Sequence, residues 1–373
     1  MREKPPVRTM GVEEEFLLVD RRTRAPVPRA PQVIRQLTPV LGDLVQVELY
    51  RSMVEIRTRP TASAAGLRAQ LAAMRATVAA AARDAGCLLL ASGTPVVPPA
   101  RPIPVTDTPR YRRMAARCCA IVDGVGGTTC GCHVHIGTLD RSCALELSNH
   151  LRPWLPTLQA LAANSPFHAG RDSGFASRRS VEADRWPTAG PPPLLDRAGY
   201  ETTADALVSS GVLLDRRMIY WYARPSEHVP TLEVRIADVN ADLDGTVLIA
   251  ALVRGLCTAL LADIGEGRPP PQVPIGRLRA AHWHAARFGA TGHGLDPLTG
   301  HLVPTRLLIE RLLGRAAPGL AAAGDLAAVE RLLTRHLVLG TGADRQRAHH
   351  RRTGSLQQVV DHMAALTAAN RGV

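Results

Sequence analysis

Alternating polar and apolar residues predict β-strands in the first two-thirds of the chain. The clearest run is 231–239, where Leu232, Val234 and Ile236 point one way while Glu233 and Arg235 point the other. Residues 9–19 are equally rich in β-forming residues. Further strands are predicted over 46–58, 87–92, 132–138 and 220–225.

Helical patterns fill the segments between these strands and nearly everything after Asp242. Helices are predicted over 63–85, 110–122, 200–210 and 141–164, the last with a kink near Pro153 and Pro156, and 165–193 is predicted to be a long polar loop. This order favours an α+β fold, in which helices cover one face of an antiparallel sheet and leave the other face open. Because no linker interrupts the pattern, residues 1–373 are predicted to form a single domain.

The composition indicates a cytoplasmic protein with a large core. The chain has 373 residues, of which 46% are hydrophobic. Its first ten residues lack the apolar run of a secretory signal, and the most apolar segment, 247–262, contains Arg254 and is predicted to be a buried helix. We therefore expect no membrane partner. The seven cysteines are an odd number and are expected to be reduced.

The net charge of +12 comes almost wholly from arginine, since Lys4 is the sole lysine. This excludes a P-loop lysine and a pyridoxal Schiff base, so any phosphate must be bound by arginine. Nucleic acid is not an expected partner, because aromatic residues make up only 3% of the chain and the arginines are scattered.

Acidic residues stand at unusual positions in two of the strands. Glu13 and Glu15 share one face of the first strand, and Glu14 takes the other. Two carboxylates on one face repel each other unless a cation such as Mg²⁺ lies between them, although a solvated acidic edge strand is an equal alternative. Glu48 and Glu55 leave a similar choice between a surface ion pair and a functional site.

Histidines and a second acidic pair add to this face. His133 and His135 share one side of their strand, where they could bind a metal or a phosphate or form a core or substrate-side histidine pair. The nearby Cys130 and Cys132 raise the alternative of a zinc site, but the second cysteine pair that structural zinc usually needs is missing. Glu233 and Arg235 are either a buried ion pair or a metal ligand beside a phosphate clamp. One sheet face that carries all of these carboxylates would be severely repulsive without divalent ions, so the combination predicts a metal centre.

These motifs resemble the signatures of the type-2 glutamate–cysteine ligases, a family of carboxylate–amine ligases. The similarity covers GVEEEF at 11–16, CGCHVHIG at 130–137, EVRIAD at 233–238, the segment 161–179, RWP at 185–187, YW at 220–221, RPS at 224–226 and GTGADRQR at 340–347. The resemblance implies a glutamine synthetase/guanido kinase-like fold, an antiparallel sheet funnel over which ATP and metals bind. It also implies that ATP phosphorylates a carboxylate and that an amine then attacks the acyl phosphate, with glutamate plus cysteine giving γ-glutamylcysteine as the family default.

The resemblance further implies roles for individual residues. Two or three Mg²⁺ ions, or Mn²⁺ ions, would be bound by five carboxylates: Glu13, Glu15, Glu48, Glu55 and Glu233. His133 and His135 would lie near the metal and phosphates, and Arg235 would neutralise charge on the transferred phosphoryl group. The substrate carboxylate or the phosphates would be bound by Arg171, Arg178 and Arg224.

One departure from the family pattern concerns the substrate. The family usually shows Gly-Thr-His-Pro after the helix in the first third, whereas here Gly93-Thr94 is followed directly by Pro95. Two alternatives therefore remain open: a ligase for another acid and amine in secondary metabolism, and a non-catalytic nucleotide-binding relative. The expected partners are a small-molecule acid and amine, and a homodimer is one possible assembly.

Overall fold

The computed structural model describes residues 8–122, 128–137 and 139–369. The strands within these residues are β1 Met10–Asp20, β2 Val45–Val47, β3 Met53–Arg57, β4 Cys87–Leu90, β5 Gly131–Gly137, β6 Phe167–His168, β7 Arg171–Asp172, β8 Ala223–Pro225, β9 Thr231–Asp238, β10 His293–Leu295 and β11 Leu302–Pro304. Seven of them form an antiparallel sheet in the order β2-β3-β1-β5-β9-β8, with β4 also pairing with β1, and the pairs β6–β7 and β10–β11 form two separate short hairpins.

Helices pack against this sheet and make up much of the second half of the chain. They are α1 Ala30–Leu41, α2 Ala64–Asp84, α3 Pro109–Arg117, α4 Cys119–Val122, α5 Arg141–Leu151, α6 Leu155–Leu161, α7 Arg178–Ala183, α8 Arg197–Ser209, α9 Leu243–Gly265, α10 Ile275–Phe288, α11 Thr305–Ala322, α12 Leu326–Leu339, α13 Gly342–Thr353 and α14 Leu356–Ala368. Helices α2, α5, α6, α9 and α14 contact the sheet strands, which confirms the predicted α+β class.

The core lies on the helix-covered face of the sheet. Apolar residues of the strands alternate into it, including Val12, Phe16, Val134 and Val234, all at most 2% exposed. Burial of these side chains supplies the main favourable free energy of folding. The opposite residues of the same strands are thereby directed to the other face.

Helix α9 is strongly apolar, and its length and composition would let it cross a membrane. However, 78% of its most apolar stretch is buried inside the protein, where it packs on α2, α11, α12 and the sheet. Arg254 of this helix forms a buried ion pair with Asp325, the residue before α12. The predicted buried helix at 247–262 is thus confirmed.

Some predicted elements were too simple. The segment 46–58 forms two strands joined by a turn. The segment 141–164 forms two helices, α5 and α6, because Pro156 lies in the first turn of α6, where proline favours the start of a new helix. The predicted loop 165–193 contains α7 and the β6–β7 hairpin. The strands β10 and β11 were missed because each has only three residues.

Candidate active site

The open face of the sheet forms the floor of a cavity of about 640 Å³. Antiparallel register brings side chains from different strands together: Glu15 lies opposite Glu55, Glu13 opposite His133, and Glu233 opposite His135. Of the predicted site residues, those that line this cavity are Glu13, Glu15, Glu48, Glu55, His133, His135, Arg224, Glu233 and Arg235.

One group of potential metal ligands joins β1, β5 and β9. Ligand atoms of Glu13, His133 and Glu233 all lie within 4.8 Å of one another. His133 Nδ1 is 3.3 Å from Glu13 Oε2 and 3.8 Å from Glu233 Oε1. Burial and the charge of Arg235 lower the pKa of His133, which favours the neutral imidazole that binds metals.

A second group consists only of carboxylates, from β1, β3 and the residue that follows β2. Ligand atoms of Glu15, Glu48 and Glu55 again lie within 4.8 Å of one another. Burial and the charge of Glu15 raise the pKa of Glu48 to about 7, and burial and Glu13 raise the pKa of Glu55 well above its usual range. A cluster of hard oxygen donors whose charges repel suits a divalent ion such as Mg²⁺.

Arginines border the first group. Arg235 donates to the Glu233 carboxylate, and its guanidinium lies 5.7 Å from the ring centre of Tyr220. Arg224 Nε donates to Glu233 Oε2 at 2.9 Å, and its Nη1 donates to the backbone oxygens of Arg217 and Ile219. Burial alone would raise the pKa of Glu233, but these two guanidinium groups hold it well below its usual value. Glu233 is therefore an anion.

His135 occupies the edge of the same group. Its Nδ1 is 2.9 Å from Thr231 Oγ1, and its Nε2 is 3.5 Å from Glu13 Oε1. Burial lowers the pKa of His135, but the neighbouring Glu13 and Glu233 outweigh burial and raise it. The two histidines therefore differ in charge tendency although they share one strand.

Two predicted arginines lie outside the cavity lining. Arg171 is exposed on the β6–β7 hairpin, and Arg178 pairs with Glu182 along α7. Instead the next residue, Arg179, lines the cavity. Helical rotation of about 100° per residue separates the directions of neighbours on α7, and residue type alone did not reveal which arginine faced inward.

Other lining residues had not been singled out individually. Arg110, paired with Asp215, lies on the wall together with Tyr111, Trp186 and Tyr220. Trp186 and Tyr220 belong to motifs that carried the family resemblance, so the sequence did mark them as candidate site residues. Arg110 and Tyr111 come from α3, where no motif marked them.

The cysteines do not join the histidines. Strand alternation buries Cys132 in the core on the side opposite His133, and Cys130 is also fully buried. Among the described residues, neither group of close potential metal ligands contains a cysteine. The arrangement disfavours the zinc alternative.

The segment that lacks the family histidine is not among the residues that line the cavity. Gly93 packs on Asp238, and Thr94 Oγ1 donates to the backbone oxygen of Phe167 at 2.7 Å. Pro95 is buried as well.

Comparisons with known proteins show which family the chain is similar to. Residues 9–362 match the family model described as glutamate–cysteine ligase family 2. A protein of Salinispora tropica provisionally named glutamate–cysteine ligase 2 is 43% identical over 96% of this chain and 95% of its own length. A protein of Nocardia farcinica provisionally named glutamate–cysteine ligase 2-1 is 45% identical over 91% of this chain and 88% of its own.

Two solved structures share the fold at low sequence identity. Glutamate–cysteine ligase from Francisella tularensis, in complex with AMP, has a TM-score of 0.72 at 12% identity and covers 97% of this chain and 89% of its own. A bifunctional glutathione synthetase from Pasteurella multocida has a TM-score of 0.71 at 16% identity. The alignment covers 97% of this chain but only 52% of that longer protein. The predicted fold class is thus confirmed.

Proposed function

The chain belongs to glutamate–cysteine ligase family 2 and is an ATP-dependent carboxylate–amine ligase, and from this premise we propose that it joins glutamate to cysteine through an acyl phosphate. The γ-carboxylate of glutamate takes the γ-phosphoryl group of ATP, which releases ADP. The amine of cysteine then attacks the carbonyl carbon and displaces phosphate, which leaves an amide bond. We place this reaction in the cytoplasm and in a single catalytic domain, residues 1–373.

The observation that supports this proposal is the pair of adjacent ligand groups on the open sheet face. Glu13, His133 and Glu233 would hold one Mg²⁺, and Glu15, Glu48 and Glu55 a second. Bound there, divalent ions neutralise phosphate oxygens and orient ATP. The carboxylates that repel one another in the free protein are the groups that such ions would stabilise.

The remaining residues position and stabilise the phosphoryl group. Arg235 lies beside Glu233 and 3.4 Å from His133 Nδ1, where its guanidinium can neutralise charge that develops during transfer. Arg224 holds Glu233 in place, since two of its nitrogens are already engaged by Glu233 and backbone oxygens. His135 carries positive charge more readily than His133 and would balance the phosphates.

The proposal is tested by ADP release with Mg²⁺ against a panel of amino acids and amines. We expect turnover with glutamate plus cysteine, and a loss of about 100-fold or more in kcat for Glu15→Gln and Glu233→Gln. Glu310→Gln, an exposed carboxylate on α11, is the matched control and should keep wild-type turnover. Circular dichroism checks that each variant is folded. Full activity in either site variant would remove the metal assignment, and turnover only with a different pair would replace the substrates.

A further inference from the structure

We propose that Arg179 is a positioning residue of this ligase, whose guanidinium holds a bulge in β9 and thereby aims Arg235 into the cavity. The inference rests on the proposed function, because that function assigns Arg235 to phosphoryl transfer. Arg179 acts through the backbone of β9 rather than on the reacting atoms.

The bulge is visible in the pairing of β5 with β9. Cys132 lies opposite Ala237, but Val134 lies opposite Val234, so Arg235 and Ile236 together face the single residue His133. A bulge of this kind bends the strand and disrupts the ladder of hydrogen bonds locally. Because buried carbonyls need partners, a donor beside the bulge stabilises the oxygens there.

Arg179 is that donor. Its Nη2 donates to the backbone oxygen of Arg235 at 3.1 Å, and its Nη1 lies 3.5 Å from the backbone oxygen of Ile236. The Arg235 N–H donates at 2.8 Å to the oxygen of Tyr222, the residue before β8. The peptide groups on both sides of the Arg235 side chain are therefore tied down, which restricts the direction of that side chain.

The Arg179 side chain is buried against Gly131 of β5. It is 7% exposed, and a Cβ on Gly131 would lie 2.9 Å from its Cζ, so only glycine leaves room for the guanidinium there. The Gly131 N–H donates to Glu15 Oε2 at 2.5 Å, which places the same contact beside a predicted metal ligand.

The chain around Arg179 is anchored to the end of the same strand. The Arg179 N–H donates to Ser165 Oγ at 3.0 Å, and Ser165 and Ser177 donate to opposite oxygens of Asp238 at 2.6 and 2.7 Å. The segment that carries Arg179 thus grips β9 at Asp238 and again at the bulge. A residue needed only for burial would not require two such attachments.

The test is a double-mutant cycle on kcat for ADP release. Arg179→Ala should lower kcat by about 100-fold, the cost of misplacing a catalytic group by about 1 Å, with little change in KM for ATP. In the Arg235→Ala background the same substitution should lower kcat by less than about threefold, because the group that it positions is gone. Equal losses in both backgrounds would overturn the proposal.

Two further variants separate positioning from simple stability. Arg179→Lys keeps one donor for the carbonyls but lacks the fork that reaches both, so it should recover about tenfold of the lost kcat and stay about tenfold below wild type. Arg152→Ala removes another buried arginine, which donates to the Val273 oxygen away from the cavity, and should lower stability without changing kcat. If Arg179→Ala does not fold, Arg179→Lys replaces it in the double-mutant cycle. A kcat for Arg179→Lys equal to that of wild type, with the same dependence on pH and salt, would then contradict the proposal.

Failure of the proposal differs from failure of the proposed function. If the wild-type protein releases ADP and Arg235→Ala strongly lowers kcat while Arg179→Ala is fully active, only the positioning role falls. If the wild-type protein releases no ADP with any acid and amine, the function itself falls.

Discussion

Three successive glutamates of β1 have different roles because adjacent side chains of a strand point to opposite faces. Glu13 and Glu15 face the cavity, whereas Glu14 is fully buried on the helix-covered face and pairs with Arg75 of α2, which is 1% exposed. Thr246 also donates to Glu14 Oε1 at 2.7 Å. The middle carboxylate therefore fixes α2 to the sheet, and its neighbours remain available for chemistry.

Removing one partner of this buried pair should destabilise the fold strongly. Arg75→Ala leaves the Glu14 charge without its main partner, so we expect a loss of about 3–5 kcal/mol in the free energy of unfolding. Urea denaturation measures it. Arg306→Ala breaks an exposed pair with Glu310, and its effect should stay below about 1 kcal/mol. Similar effects of the two substitutions would show that burial of the pair does not matter.

The helices behind the sheet approach one another more closely than ordinary side chains allow. Gly255 of α9 and Gly319 of α11 meet at their crossing, where a Cβ on Gly319 would lie 2.9 Å from the Gly255 carbonyl carbon. This contact lets α11 lie against the central helix α9, which itself supports β1 and β5. Small residues at the crossing thus support the rigidity of the sheet floor.

Gly319→Ala should destabilise the protein by about 1–3 kcal/mol, because the added methyl group forces the two helices apart. Gly314→Ala in the same helix is the matched control, since nothing lies within 4 Å of its added Cβ. There alanine should stabilise the helix by up to about 1 kcal/mol. Thermal unfolding of both variants gives the comparison, and a stabilising Gly319→Ala would mean that the helix crossing adjusts freely.

At the scale of the whole molecule, the close carboxylates of the candidate site lower the stability of the folded protein when they are charged. Glu48 and Glu55 are carboxylates in a buried cluster, and the raised pKa of each shows that the folded protein resists their charge. A carboxyl group whose pKa is raised on folding binds its proton more tightly in the folded state. It therefore contributes stability below the unfolded pKa near 4.5, and this contribution is lost as the pH rises to about 7.

With divalent ions removed by a chelator, Glu48→Gln should therefore have a higher free energy of unfolding than wild type at pH 8, by an amount on the order of 1–3 kcal/mol. This difference should shrink towards pH 5. Adding Mg²⁺ should raise the melting temperature of wild type more than that of the variant, because a ligand that binds only the folded state stabilises it. Urea denaturation and thermal scans at both pH values test this. A pH-independent difference would contradict the assigned cause.

The sequence by itself determined the faces of the strands. Backbone geometry makes side chains alternate whatever lies beyond the strand, so the common face of Glu13 and Glu15, of His133 and His135, and of Glu233 and Arg235 could be predicted from spacing alone. The α+β class followed from the same periodicities, and the family motifs added the fold.

Only the tertiary structure decided which of these faces meet. The order β2-β3-β1-β5-β9-β8 brings residues 13, 133 and 233 within reach of one metal ion, and such strand order depends on contacts between distant segments. The same holds for the arginines: nothing local distinguishes Arg171, Arg178 and Arg179, yet only Arg179 lines the cavity. Arg179 contacts Gly131, Ser165 and the β9 bulge, all of which are distant from it along the chain, so no local pattern could reveal its direction.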